Sequence, residues 1–318
     1  AITGTDSANT LIGSTGSDSF SALSGEDVVL GAGDGDVVDL GAGNDSVNFS
    51  DDASSASVLG GTGNDSLGIT VSFNTSTISG GAGNDTLWVS KGANAYLTGD
   101  LGADSIYFKG SSFNNSTIYG GNLSGATSAD GADTIKVGDL IKSTIKGGAD
   151  ADLVSASGVV SVNALYGNSG NDTLVLNGVA TSASAYGGTG DDSVIFGDAA
   201  NTLTYEGGTG NDTLKVTGAV NSSTIYGDNA STTVEGNDSL SIGGSASGSF
   251  IYGGSGNDYL HGGYGNDHMY GSWGDDNLTG WSGNDYLNGG SGNDKLSGDS
   301  GNDRLYGSWG NDYLDGGS

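Results

Sequence analysis

Aspartate is the residue with chemical capacity that recurs most regularly in this chain. From Gly253 to Asp315 the sequence reads GGSGNDYLH, GGYGNDHMY, GSWGDDNLT, GWSGNDYLN, GGSGNDKLS, GDSGNDRLY and GSWGNDYLD, seven consecutive nonapeptides. Their aspartates fall at Asp258, Asp267, Asp276, Asp285, Asp294, Asp303 and Asp312. Carboxylates at fixed spacing suit two chemistries, acid–base catalysis and the binding of hard cations. A glycosidase-type pair needs two unique carboxylates about one bond. Here each repeat carries the same group and none is singled out, so an enzyme is not expected. The glycines around them are Gly253, Gly256, Gly262, Gly265, Gly271, Gly274, Gly283, Gly289, Gly292, Gly301, Gly307 and Gly310. Glycine lets backbone carbonyls turn inward at dihedrals that other residues avoid, so each repeat offers charged and neutral oxygens together. Soft-metal chemistry is excluded by the absence of cysteine and by the presence of only two histidines. His261 and His268 occupy different positions of adjacent repeats and read as solvated side chains.

The same rule extends toward the N-terminus. Steps of nine recur at Asp18, Asp27, Asp36 and Asp45. Asp65, Asp85, Asp104, Asp133, Asp152, Asp172, Asp192, Asp212 and Asp238 follow at 19 or 20 residues, apart from steps of 29 and 26 that mark insertions near 121–131 and 228–235. Two positions after each of these twenty aspartates stands an apolar residue, such as Val47, Leu67, Leu174 or Leu260. Alternation continues outward from it, as in Leu67, Ile69, Val71, which is the period of a strand with one buried face. A second inward position follows in each 20-residue unit, at Ile78, Ile118, Leu165, Ala185, Tyr205, Ile225 and Ile251.

Two nonapeptides make 18 residues, nearly the length of one central unit, so one architecture is expected throughout. It is all-β: a parallel solenoid with two short strands and two turns per 18–20-residue coil, continuous over 1–318. Nonapeptide-like coils should occupy 1–59, longer coils 60–252 and regular nonapeptides 253–318. Helices are not expected, because glycine weakens helix interiors by about 1 kcal/mol per residue.

Composition narrows the partners. With 38 acidic against 8 basic residues and a formal charge of −30, the chain repels nucleic acid and anionic membrane surfaces. No apolar run approaches the roughly 18 residues of a spanning helix, so membrane insertion is not expected. Collagen is excluded because 63 glycines come with no proline. The core is a thin ladder of Val, Leu and Ile, too narrow to order a glycine-rich acidic chain unaided. A cofactor has to supply the difference.

GGSGNDYLH and GGSGNDKLS resemble the haemolysin-type, or RTX, nonapeptide G-G-x-G-x-D-x-u-x, and the resemblance covers nearly the whole chain. It implies a parallel β-roll in which six residues form a Ca²⁺-binding turn and three a short strand. It further implies that each aspartate reaches the equivalent turn one coil along, so that ions sit between stacked turns. The chemistry agrees, since Ca²⁺ takes about six to eight hard oxygen ligands. The central block departs from the pattern. Its second turn reads Asn74 to Thr77, Asn114 to Thr117, Thr181 to Ser184 or Asn221 to Thr224, with no Gly-x-Asp. Calcium is therefore expected on one edge there, with stacked Asn, Ser and Thr hydrogen bonds on the other. Ser24 to Asp27 and Gly33 to Asp36 are weak turns.

These features predict a secreted or cell-surface calcium-binding structural region that folds on meeting calcium outside the cell and contributes to a surface layer or filament. The alternatives are an accessory domain of a secreted hydrolase or toxin, and an ice- or glycan-binding adhesin module. Gly-Thr-Gly-Asn-Asp turns at 61–65 and 208–212 hint at an ice-binding array, but Ala, Ser, Trp and Tyr alternate with Thr. The absence of an initiator Met at Ala1 and the unfinished repeat at Gly316–Ser318 suggest an excised segment with uncapped ends. Outward Tyr119, Tyr166, Tyr186, Tyr226 and Tyr252, with Trp273 and Trp309, offer a lateral surface. Copies of the chain or neighbouring surface proteins are the expected partners.

Overall fold

Glycine turns reverse the chain every eight to ten residues, and the short alternating stretches between them can only bury their inward residues by stacking on equivalent stretches. The computed structural model describes residues 1–318 apart from 15, 50, 109, 111, 122–129 and 230–235. The predicted insertions near 121–131 and 228–235 lie largely outside the described residues. Two compact units are present, Ala1–Gly158 and Val159–Ser318. Each is a parallel β-solenoid, and no helix occurs among the described residues.

In the first unit one row of strands runs through Ser19–Ser21, Val37–Asp39, Ser57–Thr62, Thr77–Ala82, Tyr96–Leu101, Thr117–Gly121 and Thr144–Gly148. Phe20, Val38, Val58, Ile78, Leu97, Ile118 and Ile145 stand in register along it, all buried. The facing row aligns Leu11, Val29, Val47, Leu67, Leu87, Ile106, Ile135 and Val154. The second unit repeats the plan. Leu165, Ala185, Tyr205, Ile225, Ile251, Met269 and Leu287 face Leu174, Val194, Leu214, Leu240, Leu260, Leu278 and Leu296, again all buried. The residue two places after each aspartate is thus the inward one, as the spacing requires. Leu314 is the exception in being exposed.

The longer coils add a row of pairing, carried by a lengthened strand in some coils, such as Ser66–Asn74 and Ala180–Thr189, and by a separate short strand in others, such as Ser112–Asn114. A third, short row pairs Ala53 with Phe73, Phe73 with Gly92, Gly92 with Phe113 and Phe113 with Leu140. Its counterpart in the second unit is Val160, Ala180, Ala200 and Val220. Among these the side chains of Ala53, Phe73, Phe113, Leu140, Val160, Ala180, Ala200 and Val220 are buried. The extra one or two residues of the 19- and 20-residue period go into this row. Gly92 fits between its neighbours because the Phe113 ring lies where a Cβ would stand.

Tyr166 stacks on Tyr186 at 4.9 Å, and Tyr226, Tyr252 and Tyr270 stack at 5.0 Å. Glu206 pairs between Tyr186 and Tyr226 and interrupts the tyrosine row. The histidines are not simply solvated. His261 packs 5.7 Å from the Trp281 ring and His268 5.3 Å from Phe250, because both project onto the aromatic strand surface.

Candidate metal centre

In most of the aspartate turns the backbone N–H of the aspartate donates to Oδ1 of the aspartate one coil on. In the first unit this ladder links Asp27, Asp45, Asp65, Asp85, Asp104, Asp133 and Asp152 through bonds of 2.6–2.8 Å. In the second it links Asp172, Asp192, Asp212, Asp238, Asp258, Asp276, Asp294 and Asp312 at 2.8–3.0 Å. Shorter ladders stand on the other edge, Asp18 to Asp36 at 2.7 Å and Asp267 to Asp285 to Asp303 at 2.9 Å. Seventeen of the twenty predicted aspartates are buried, Asp18, Asp303 and Asp312 being half-exposed.

The second oxygen is where the chemistry lies. Oδ2 of Asp27, Asp45, Asp65, Asp85, Asp104 and Asp133 in one unit is buried without a hydrogen-bond partner. So is Oδ2 of Asp192, Asp212, Asp238, Asp258, Asp267, Asp276, Asp285, Asp294 and Asp303 in the other. Burial raises the carboxyls of Asp65, Asp104, Asp133, Asp192, Asp212 and Asp238, the ladder hydrogen bonds oppose the rise, and neighbouring carboxylates add to it. Asp65, Asp192 and Asp212 reach about 7, Asp104 and Asp238 about 8, and Asp133 about 9. A buried carboxylate oxygen with no donor costs about 1–3 kcal/mol or more, so a row of them demands a positive partner.

The glycines leave room for that partner. The first glycine of a turn lies over the carboxylate: a Cβ on Gly253, Gly262, Gly271, Gly289 or Gly307 would collide with Oδ2 of Asp258, Asp267, Asp276, Asp294 or Asp312. At Gly207 the same point also abuts the Gly227 carbonyl, so carboxylate and backbone oxygens converge there. The later glycines, Gly256, Gly265, Gly274, Gly283, Gly292, Gly301 and Gly310, all have positive φ. A side chain on Gly256, Gly274, Gly283, Gly292, Gly301 or Gly310 would strike the backbone carbonyl of the matching glycine in the preceding coil, and one on Gly265 the Ser245 hydroxyl. Among the described residues no three acidic or histidine side chains form a metal-holding group. The donor set is instead one carboxylate with backbone carbonyls, all hard oxygen, which fits Ca²⁺. An ion bound there would supply the positive charge that these oxygens lack.

Two predicted ligands differ. Asp36 Oδ2 accepts the Gly33 N–H at 2.7 Å, and Asp18 Oδ2 accepts the Ser14 N–H and hydroxyl at 2.7 and 2.8 Å. Protein donors already engage both oxygens. Across the central coils the other edge carries buried serines at the aspartate position. Ser76, Ser116, Ser143, Ser223 and Ser249 accept through Oγ the N–H groups of Ala56, Ala95, Ser116, Leu203 and Ser223 at 2.8–3.1 Å. The neutral hydroxyl repeats the ladder without the charge, and Asn221 reaches Asn201 beside it at 2.7 Å.

Sequence reasoning missed two sets of residues. The residue before each aspartate forms an exposed ladder of its own: Oδ1 of Asn44 accepts from Asn64 N–H, Asn64 from Asn84, Asn237 from Asn257, and Asn257 from Asp275, at 2.7–2.8 Å. Its recurrence as Asn-Asp was visible in the repeats. The other set is Asp130 and Asp228, both buried beside the insertions, where no period could flag them.

The fold and its turns define a parallel β-solenoid with rows of buried, cation-seeking carboxylates. The RTX calcium-binding nonapeptide repeat model matches residues 3–38, 12–47, 75–106, 162–178, 252–287 and 288–318, just over half the chain. The chain belongs to that family. Among solved structures it is similar to a hyperactive, Ca²⁺-dependent, β-helical antifreeze protein from an Antarctic bacterium, at 21% identity and a TM-score of 0.45, covering 98% of this chain and 83% of that one. The search of curated proteins gave no match. No helix among the described residues is long and apolar enough to cross a membrane.

Proposed function

We propose that the chain is a calcium-dependent structural module whose carboxylate rows bind Ca²⁺ through the Gly-x-Asp turns and make folding conditional on the ion. The row of partnerless Oδ2 atoms, cleared by glycine, carries this reading. Metal-free at neutral pH, folding each coil must either bury another negative charge or take up a proton, and the thin core cannot offset that cost. With calcium the same oxygens become cross-links. The sites are the predicted aspartates other than Asp18 and Asp36, with the carbonyls of their glycines, densest where both edges carry Gly-x-Asp, from Gly253 onward. Such a switch suits a protein exported unfolded from submicromolar calcium and folded at extracellular millimolar levels, and its repetition suits a surface layer or filament better than catalysis. The ice-binding alternative requires a flat array, whereas the exposed row of the second unit includes Trp273 and Trp309, 66% and 81% exposed.

Circular dichroism of the chain in chelator and in millimolar Ca²⁺ at pH 7.5 tests the switch. Coil in chelator and β-structure in calcium are expected. A β-spectrum unchanged by chelator would refute the reading.

A further inference from the structure

In regular coils the N–H of the third turn residue donates to the backbone carbonyl of the second turn residue one coil earlier, as Thr62 does to Gly41 at 2.8 Å and Ser300 to Trp281 at 3.0 Å. Gly33 departs from it by bonding within its own turn, to Asp36 Oδ2, and two turns that adjoin an insertion depart from it by bonding to a carboxylate of the neighbouring coil. The Ser255 N–H donates to Asp228 Oδ2 at 2.6 Å, and the Ala149 N–H to Asp130 Oδ2 at 2.6 Å. In each case a carboxylate stands where the other coils present a neutral carbonyl.

Asp228 makes the consequence clearest. It aligns with Gly208, is 3% exposed, and its Oδ1 is buried with no partner. Its charge bears on the carboxyls of Asp212, Asp238 and Asp258 and helps raise all three. Room is kept on both sides: a Cβ on Gly227 would overlap Asp238 Oδ2, and one on Gly254 would overlap the Asp228 carboxylate. This turn therefore offers an extra buried carboxylate oxygen beside the one present in every coil.

We infer that Asp228, with Asp238, forms a divalent-cation site tighter than those of the regular coils, and that Asp130 marks an equivalent site in the other unit. The inference rests on the reading of these edges as calcium sites. Calcium affinity rises with the charge of the ligand set. These two turns fill first as calcium rises, and each seeds the ordering of the coils stacked on it.

Calorimetric titration of the chain with Ca²⁺ alone provides the test. The expected isotherm has a small tight class ahead of the main one, stronger by on the order of tenfold. Asp228→Asn keeps an acceptor for Ser255 and should remove one tight site, Asp130→Asn the other, and Asp275→Asn on the exposed ladder neither. Asp228→Gly restores the residue found at its register partner and should fold in saturating calcium while lacking the same tight site. A single class of sites in the unaltered chain, or a tight class intact in Asp228→Gly, overturns the inference and leaves the general calcium reading standing. A chain that binds no calcium overturns both.

Discussion

Replacing Asp212 by Asn should stabilise the metal-free chain and destabilise the calcium-loaded one. Asp212 is 1% exposed, its Oδ1 accepts the Asp192 N–H at 2.8 Å, and its Oδ2 has no partner. Asparagine keeps the first interaction and removes the charge. Burial chiefly, and then the charges of Asp191 and Asp228, lift the carboxyl from 3.8 to about 7 against the ladder bond. A folded value above the unfolded one means that the folded chain binds the extra proton, so stability present at low pH is lost as pH climbs from 3.8 through about 7. Each tenfold change in a proton equilibrium is ~1.4 kcal/mol. Solvent screening along the edge reduces the gain from deleting this one charge to on the order of 1–2 kcal/mol.

In calcium the sign reverses. An ion held at a hundred times its dissociation constant stabilises the fold by ~2.7 kcal/mol, and Asn supplies no charged ligand for it. Asp212→Ala should destabilise in both conditions, since it also removes an acceptor worth ~1.5–3 kcal/mol. Two assays separate these effects. In chelator, circular dichroism against pH should show the chain losing structure as pH rises from 3.8 through the folded values, which run from about 6 for Asp85 to about 9 for Asp133. Asp212→Asn should move that midpoint upward. In saturating calcium at pH 7.5, urea unfolding should show the variant weakened. The same direction of change in both assays would refute the assignment of Oδ2 as a cation ligand.

Other substitutions probe the remaining parts. Gly256→Ala places a side chain at φ +126° against the Gly236 carbonyl and should cost about 2–4 kcal/mol in urea unfolding, whereas Gly33→Ala, with nothing closer than 3.8 Å, should stay within about 0.5 kcal/mol. Ser223→Ala leaves the Leu203 N–H without its 2.8 Å acceptor and should cost about 1–3 kcal/mol, by the same amount at low and high saturating calcium because that edge carries a neutral hydroxyl in place of the carboxylate. Leu214→Ala empties a fully buried position and should cost about 2–5 kcal/mol, read as a lower melting temperature in calcium.

The inward rows and the aspartate row were legible in the sequence because both follow one strict period. Leu67, Leu87 and Ile106 stack in register for the same reason that Asp65, Asp85 and Asp104 do. What escaped was aperiodic or ambiguous. Asp130 and Asp228 sit beside insertions, so no repeat predicts their burial. The third row was hidden because the alternation restarts ahead of it, at a register shift between Ile69 and Ser72 before Phe73 and at the bend of Gly110 before Phe113. Asp36 looks like its neighbours in spacing, yet the Gly33 N–H takes its second oxygen, a contact that depends on a local turn rather than on the period.

The Asn-Asp dipeptide ties each turn to its neighbours in two ways, of which only one carries charge. In consecutive residues the two side chains reach in opposite directions along the stack. Asp258 Oδ1 accepts from Asp238 of the preceding coil, while Asn257 Oδ1 accepts from Asp275 of the following one. Each turn is thereby tied to both neighbours by backbone N–H donors that strand pairing leaves unused. The asparagine end is exposed and neutral, and its benefit is nearly independent of length. The aspartate end is buried and charged, and each added coil brings another carboxylate within range of the last, as Asp238 feels both Asp212 and Asp258. A stack built this way grows less favourable with length unless positive charge is added coil by coil. Where serine replaces aspartate, as at Ser223, the same tie forms without that electrostatic cost. The distribution of serine and aspartate between the two edges therefore sets how many ions a given stretch requires.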